Sequence, residues 1–383
     1  MFLKQSIRRL LRTIYISLCR MFYGVDMEQV VFLSFSGRAY SDNPKAICDC
    51  LHTIMPQAKI QWIFTGNKVV EKKLPAWVEV VDSSNTLVYY KTLATCGVLV
   101  TNFVLPDIIK SKKQMFIQTW HGDKAFKKVL LDQTKDFVPE QLEGFCDLAV
   151  AGSEYGKRQY ESAFRYKGKI LMEGTPRNDR LVQNNPEIAR ALKLNLKIPE
   201  ETKIVLYAPT LRREAGQSKQ KQQIQDLEIS ATLDLLEKKD GCKWMCLLRA
   251  HPAMVGLSGA GDDSRIMDVS GYEDMADLLL ISDMLITDYS SCAGDFALLK
   301  RPLVLYQADR QEYLEKDRTF YFDIDDSPYF VAKNQQELES IITNMTAQKA
   351  AENCKAILEF YGDCETGHAA ESVAQIIKDW IER

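Results

Sequence analysis

The stretches Met115-Phe-Ile-Gln-Thr-Trp-His-Gly-Asp123 and Trp244-Met-Cys-Leu-Leu-Arg-Ala-His-Pro252 share one pattern. Each is a short apolar run that reads as a buried strand, followed at once by a turn carrying a histidine, His121 in the first and His251 in the second. In an open α/β sheet, ligands bind just beyond the carboxyl ends of the strands. One such histidine is weak evidence of a site. Two, one in each half of the chain, predict a cleft between two similar domains with an imidazole from each wall.

Outward from these stretches, apolar runs alternate with helical patterns, as βα units do. Val30 to Phe35, Ile60 to Phe64, Val78 to Val81, Gly97 to Thr101, Leu148 to Ser153 and Lys169 to Met172 read as strands of the first half. Ile204 to Tyr207, Met284 to Thr287 and Leu303 to Tyr306 join Trp244 to Leu248 in the second. A polar stretch from Gln183 to Thr202 separates them, and Glu214 to Gln225, rich in Gln and Lys, reads as a mobile surface loop. The expected organisation is a helix over 1–25, Rossmann-like domains over 26–185 and 186–365, and a C-terminal helix over 366–383 that packs back on the first domain.

A length of 383 residues suits two domains, and 46% hydrophobic with 26% charged residues is a soluble globular composition. The net charge of -3 argues against a general nucleic-acid binder. Ten cysteines without a CxxC pair or a zinc-spaced Cys/His cluster read as buried thiols in a reducing compartment. Residues 1 to 23 differ: Lys4, Arg8, Arg9, Arg12 and Arg20 stand without an acid, and Leu3, Ile7, Leu10, Leu11, Ile14, Leu18, Met21 and Phe22 recur at helical spacing. A basic amphipathic helix on an anionic membrane surface is the favoured reading, with packing on the protein itself and a signal peptide as alternatives.

Four segments offer chemistry. Trp120-His-Gly122 sets an imidazole beside a glycine that lets a ligand approach the backbone, and Lys124, Lys127 and Lys128 follow at helical spacing, able to attract phosphate. Arg249 and His251 leave a strand two residues apart, a donor pair suited to phosphate. In Ile286-Thr-Asp-Tyr-Ser-Ser-Cys-Ala-Gly-Asp-Phe296, Ser290 and Ser291 open a helix where amides and hydroxyls favour an anion, with Asp288 and Asp295 on either side. Thr210 and Arg212 follow the first strand of the second half. Each also has a plain structural reading: a capping or core histidine, a solvated arginine, or an aspartate that positions its loop. Walker A, GxGxxG and GxSxG patterns are missing, which demotes ATPase, dehydrogenase and esterase readings.

Trp120-His-Gly, Gly174-Thr-Pro-Arg-Asn-Asp, Tyr207-Ala-Pro-Thr-Leu-Arg, Arg249-Ala-His-Pro, and Ile286-Thr-Asp-Tyr-Ser-Ser followed by Asp295-Phe-Ala-Leu-Leu-Lys-Arg-Pro occur in this order. Together they resemble the CDP-glycerol glycerophosphotransferase family, which includes bacterial teichoic acid primases and polymerases, from about Ser34 to Tyr361. The resemblance implies a GT-B architecture, two Rossmann-like domains facing across a cleft, on a peripheral enzyme at the cytoplasmic face of the bacterial membrane. It implies transfer of a polyol phosphate from a CDP-polyol donor to a hydroxyl of a lipid-linked or polymeric glycan, releasing CMP, in teichoic acid or capsule-type polymer synthesis. It maps the family's two essential histidines onto His121 and His251. Thr210, Arg212, Arg249, Asp288, Ser290 and Ser291 would surround the CDP moiety, with Trp120, Gly122, Lys124, Arg177 and Asp295 as further substrate contacts.

Where many members carry Thr-Pro after Trp-His-Gly, this chain has Asp123-Lys124-Ala125-Phe126, which bears on the acceptor more than on the reaction. The chain reads as a member without the long extra N-terminal module of some polymerases. His121 is expected to be the general base, with His251, Arg249 and the Ser290-Ser291 helix start stabilising the pyrophosphate. No cofactor is required by the sequence; recruitment of Mg²⁺ through water by Asp288 or the pyrophosphate stays open, as does oligomeric state. A GT-B glycosyltransferase using a nucleotide sugar and a non-catalytic membrane-bound adaptor are the alternatives.

Overall fold

The computed structural model describes residues 2–66, 74–105, 109–133, 146–212, 226–250, 263–317 and 319–383. His251 and the Glu214 to Gln225 segment lie outside them. The chain forms two units: an N-terminal unit from the described residues of Met1–Asp123, Thr134–Asp179 and Cys364–Arg383, and a C-terminal unit from those of Lys124–Gln133 and Arg180–Asp363.

In the N-terminal unit, helix α1 (Phe2–Tyr23) precedes β1 (Asp26–Leu33), α2 (Asp42–Ile54), β2 (Lys59–Phe64), β3 (Glu79–Asp82), α3 (Thr86–Thr95), β4 (Cys96–Thr101) and β5 (Met115–Gln118). Then come β6 (Leu148–Val150), α4 (Glu154–Ala163) and β7 (Lys169–Leu171). The strands form one sheet of order β3-β2-β1-β4-β5-β6-β7, parallel throughout. A parallel sheet is covered on both faces, so its central strands are mostly apolar; every residue of β4 and β5 is buried. Phe32, Trp62, Val98, Val100 and Ile117 of the strands pack with Ile47 and Leu51 of α2 and with Val373 and Ile377 of the C-terminal helix (Ala369–Ile381). Asp179 accepts hydrogen bonds from the amides of Ala369 and Ala370, capping that helix.

The C-terminal unit repeats the plan. Its elements are α5 (Pro186–Asn195), β8 (Lys203–Ala208), α6 (Ile229–Asp240), β9 (Trp244–Leu248), β10 (Ile266–Asp268), α7 (Met275–Ile281), β11 (Met284–Thr287), α8 (Cys292–Phe296), β12 (Leu303–Tyr306), α9 (Arg310–Lys316), β13 (Val331–Ala332), α10 (Gln335–Asn344) and α11 (Ala347–Tyr361). The strand order is β10-β9-β8-β11-β12-β13, again parallel. Sequence reading did not find β10 or β13, which are three and two residues long and carry little periodicity. Within the polar Gln183 to Thr202 stretch, residues Pro186–Asn195 are helical, with the Asn185 side chain accepting from the Glu187 amide.

Lys124, Lys127 and Lys128, expected at helical spacing, are not helical: Lys124 lies in a turn, and Lys127 and Lys128 follow in a non-helical segment. Lys127 bridges antiparallel to Phe320, and the Tyr321 amide donates to the Phe126 carbonyl at 2.9 Å. Helix α1 docks by one face: Ile16 and Cys19 are buried against Ala94, and the Arg20 guanidinium donates to Ala94 O and Gln114 Oε1. Ile7, Leu10, Leu11, Ile14, Leu18, Met21 and Phe22 remain exposed. Among the described residues no helix is long and apolar enough to cross a membrane.

Candidate active site

In each sheet the strand order reverses direction once, between β1 and β4 and between β8 and β11. At such a switch point the two flanking connections leave on opposite faces and open a crevice at the carboxyl edge. Of the expected site residues, His121, Thr210, Arg249, Asp288, Ser290 and Ser291 lie beyond strand ends at the carboxyl edges of the two sheets.

In the N-terminal unit, Ser34 follows β1, Asn102 follows β4 and His121 follows β5. His121 Nδ1 lies 2.8 Å from the Asn102 carbonyl. A carbonyl oxygen only accepts, so Nδ1 carries a proton, and in the neutral imidazole the lone pair sits on Nε2. The Asn102 side chain, fully buried, is itself held: its Oδ1 accepts from the Phe35 amide at 2.8 Å and its Nδ2 donates to Asp42 at 3.0 Å. Phe35 meets the imidazole edge-on at 5.4 Å, and Phe103 lies nearly parallel to it at 6.3 Å. Phe35, Ser36, Asp42 and Trp120, none of them glycine, all adopt positive φ of 46° to 66° around this one ring. Such conformations cost roughly 1–3 kcal/mol each and persist where the surroundings over-determine them, commonly at functional sites.

The structure gives Asp123, which follows Gly122, a place inside the N-terminal unit. Its buried carboxylate accepts from the Gly152 amide and the Ser153 hydroxyl, and Ser153 in turn caps α4 through the Gly156 amide. A Cβ at Gly156 would stand 2.0 Å from the Asp123 carboxylate, so only glycine admits this approach. Arg177, expected at substrate, directs its guanidinium to Asp42 at 3.3 Å and is 8% exposed.

In the C-terminal unit, Thr210 follows β8 and Asp288 follows β11. The Thr210 amide donates to both Asp288 oxygens, at 2.9 and 3.0 Å, and its buried Oγ1 has no hydrogen-bond partner among the described residues. Arg212 pairs with Asp288 at 2.9 Å and binds Asp309 with two hydrogen bonds of 2.7 and 3.0 Å. Its guanidinium also lies 4.8 Å from the ring centres of both Tyr289 and Tyr313. Burial opposes its charge, but the two carboxylates outweigh that and hold the guanidinium protonated. Arg212 therefore fastens the Asp288 turn from within. Ser290 and Ser291 are half-buried at the start of α8. Arg249 donates from Nη2 to Tyr272 O at 2.9 Å, while its buried Nε has no partner among the described residues. Burial lowers its pKa, which makes a neighbouring anion favourable.

Lys124 departs from expectation. Its side chain is fully buried and its ammonium pairs with Asp363 at 3.0 Å, so it holds two segments together rather than attracting phosphate at a surface. Gly294 makes room for it: a Cβ there would meet the Lys124 side chain at 2.5 Å. Asp295 is buried close by, both groups acting on Tyr329. Among the described residues no cluster of three His, Cys, Asp or Glu side chains could hold a metal ion.

Asn102 and Asp309 escaped the sequence reading. Both follow the carboxyl end of a strand, β4 and β12, so the rule that singled out the histidines, applied to every strand, would have reached them.

Two parallel α/β sheets with polar groups at their carboxyl edges are an architecture suited to ligand binding, and comparison with known proteins narrows it. Residues 14–379 match the family described as CDP-Glycerol:Poly(glycerophosphate) glycerophosphotransferase. The teichoic acid glycerol-phosphate transferase of Staphylococcus aureus is 29% identical, covering 98% of this chain and 99% of that protein. The teichoic acid poly(glycerol phosphate) polymerase of Staphylococcus epidermidis is 30% identical over 92% of this chain, but the match spans about half (51%) of that protein's length. The structure of the wall teichoic acid polymerase TagF aligns with a TM-score of 0.81 at 26% identity, covering 99% of this chain and 97% of that one. A histidine-to-asparagine variant soaked with CDPG aligns equally well. The chain belongs to the CDP-glycerol glycerophosphotransferase family.

Proposed function

We propose that this chain transfers glycerol phosphate from CDP-glycerol to a hydroxyl of a lipid-linked or polymeric cell-envelope glycan, releasing CMP. The observation that carries the reading is the Asn102 carbonyl on His121 Nδ1, which leaves Nε2 with the lone pair a general base needs. The acceptor hydroxyl gives its proton to Nε2 as its oxygen bonds to the β-phosphorus in line. The β-phosphorus–oxygen bond to the CMP phosphate breaks, and CMP leaves with the electron pair. General-base help of this kind is worth roughly 10²–10⁴-fold. Arg249, Thr210, Ser290, Ser291 and His251 are the groups proposed to meet the charge growing on the leaving phosphate, a role that preorganised donors perform well. Family membership supports this division, as does the position of Thr210, Arg249, Ser290 and Ser291 beyond the strand ends.

The exposed apolar stripe of α1 supports a peripheral seat on an anionic membrane, where a lipid-linked acceptor resides. The test is transfer by wild type and His121→Ala with CDP-glycerol, CDP-ribitol and nucleotide sugars, read as CMP release and product mass. Release of CMP from CDP-glycerol that collapses in the variant supports the reading. Near-normal transfer by His121→Ala overturns the base assignment, and turnover of nucleotide sugars alone overturns the donor.

A further inference from the structure

We infer that Asn43 is a positioning residue for His121, holding the Trp120–His121 peptide in the one orientation that presents the imidazole; the inference rests on His121 acting as base. Asn43 is completely buried in the first turn of α2. Its Nδ2 donates to two successive carbonyls, Thr119 O at 3.3 Å and Trp120 O at 3.0 Å, while its Oδ1 accepts from the Arg177 amide at 3.0 Å. One side chain thus ties together the start of α2, the turn after β5 and the Gly174 to Asp179 segment.

The need for this clamp comes from Trp120. Its φ of +50° is unfavourable for a bulky residue, so a released turn would rearrange toward a commoner conformation. The peptide before Trp120 is held by its own N–H, which donates to Gln118 Oε1 at 2.8 Å. The peptide after it contains the Trp120 carbonyl and the His121 nitrogen in one plane. Fixing that carbonyl fixes the direction in which the His121 side chain leaves the backbone, and with it the reach of Nδ1 to Asn102. Only a side chain with two donors and an acceptor in a rigid fork satisfies all three partners. Arg177 takes its place in the same device: its amide holds Asn43, and its guanidinium holds Asp42, whose carboxylate accepts from the Asn43 amide at 2.8 Å.

The experiment compares wild type with Asn43→Ala and Asn43→Asp. The aspartate keeps the shape but loses both donors, and it serves if the alanine variant does not fold. The expected result is a kcat lower by about 10- to 100-fold, as misplacement of a reacting group by about 1 Å produces, with KM for CDP-glycerol unchanged within about twofold. With only four histidines in the chain, ¹⁵N-histidine labelling and long-range ¹H–¹⁵N spectra report His121 directly, its signal assigned by its loss in His121→Gln. Wild type should show one tautomer protonated on Nδ1; the Asn43 variants should show a mixture. A lowered melting temperature with unchanged kcat per folded molecule and an unchanged His121 signal overturns the proposal. So does a loss of kcat in which the His121 signal keeps its single tautomer. Should His121→Ala itself retain transfer, the base reading fails separately, because the ring signal still reports what Asn43 does.

Discussion

The Arg212 guanidinium and the Asp309 carboxylate meet through two hydrogen bonds, from Nε and Nη2, with Asp288 also on Nη2 and two tyrosine rings beside the group. Removing one member of a buried ion-pair network leaves the others uncompensated, which costs about 3–5 kcal/mol. Arg212→Ala should therefore lower unfolding free energy by about 3 kcal/mol or more, measured by urea denaturation. Arg212→Lys should recover only part, because an ammonium cannot make the paired contacts. A variant that binds donor poorly yet unfolds like wild type would show that Arg212 acts on ligand instead.

The Lys124–Asp363 pair makes a separate prediction. Lys124→Met removes the ammonium from the mostly buried Asp363 carboxylate and should cost roughly 3 kcal/mol. Adding Asp363→Asn should restore much of that loss in a double-mutant cycle, since no charge is then left unpaired. Additive losses would argue against the pair.

Gly156→Ala places a methyl group 2.0 Å from the Asp123 carboxylate. Overpacking of this kind costs roughly 1–3 kcal/mol. Because Asp123 lies two residues after His121, kcat should fall with stability; a variant with wild-type melting and turnover would contradict the close approach.

Burial pushes the Cys292 thiol up to about 11, since a thiolate in that fully enclosed place would be unsolvated. At pH 8 only about one molecule in a thousand carries the thiolate. Iodoacetamide on the native protein should leave Cys292 unmodified while labelling the partly exposed Cys242, as read by peptide mass mapping. Rapid native labelling of Cys292 would refute its burial.

Helix α1 separates docking from surface binding. Leu10→Asp with Leu11→Asp, on the exposed stripe, should weaken flotation with anionic vesicles without changing the melting temperature. Arg20→Ala should instead loosen α1 from the unit, because it deletes donors to Ala94 O and Gln114 Oε1. Equal flotation of the Leu10/Leu11 variant would remove the membrane proposal.

Much of the architecture is legible along the chain because parallel strands buried on both faces are apolar along most of their length, as Met115 to Ile117 and Trp244 to Leu248 are. Strands as short as Val331–Ala332 leave no such trace. The candidate site is legible where a polar residue lies just beyond a strand end, as with His121, Thr210, Arg249 and Asp288. Lys124 and Arg177 illustrate the opposite case: charge suggests a ligand contact, yet the groups face inward to Asp363 and Asp42.

Local order in the chain thus decides the two sheets, their parallel sense and the place of the histidine turns, because periodicity and turn chemistry act between near neighbours. Which groups hold His121 and Arg212 is decided only in three dimensions. Asn43 and Trp120 are 77 positions apart, and Arg212 and Asp309 are 97 apart. A buried amide or carboxylate finds its partner through whatever the packed sheets bring within hydrogen-bond distance, and no spacing along the chain records that.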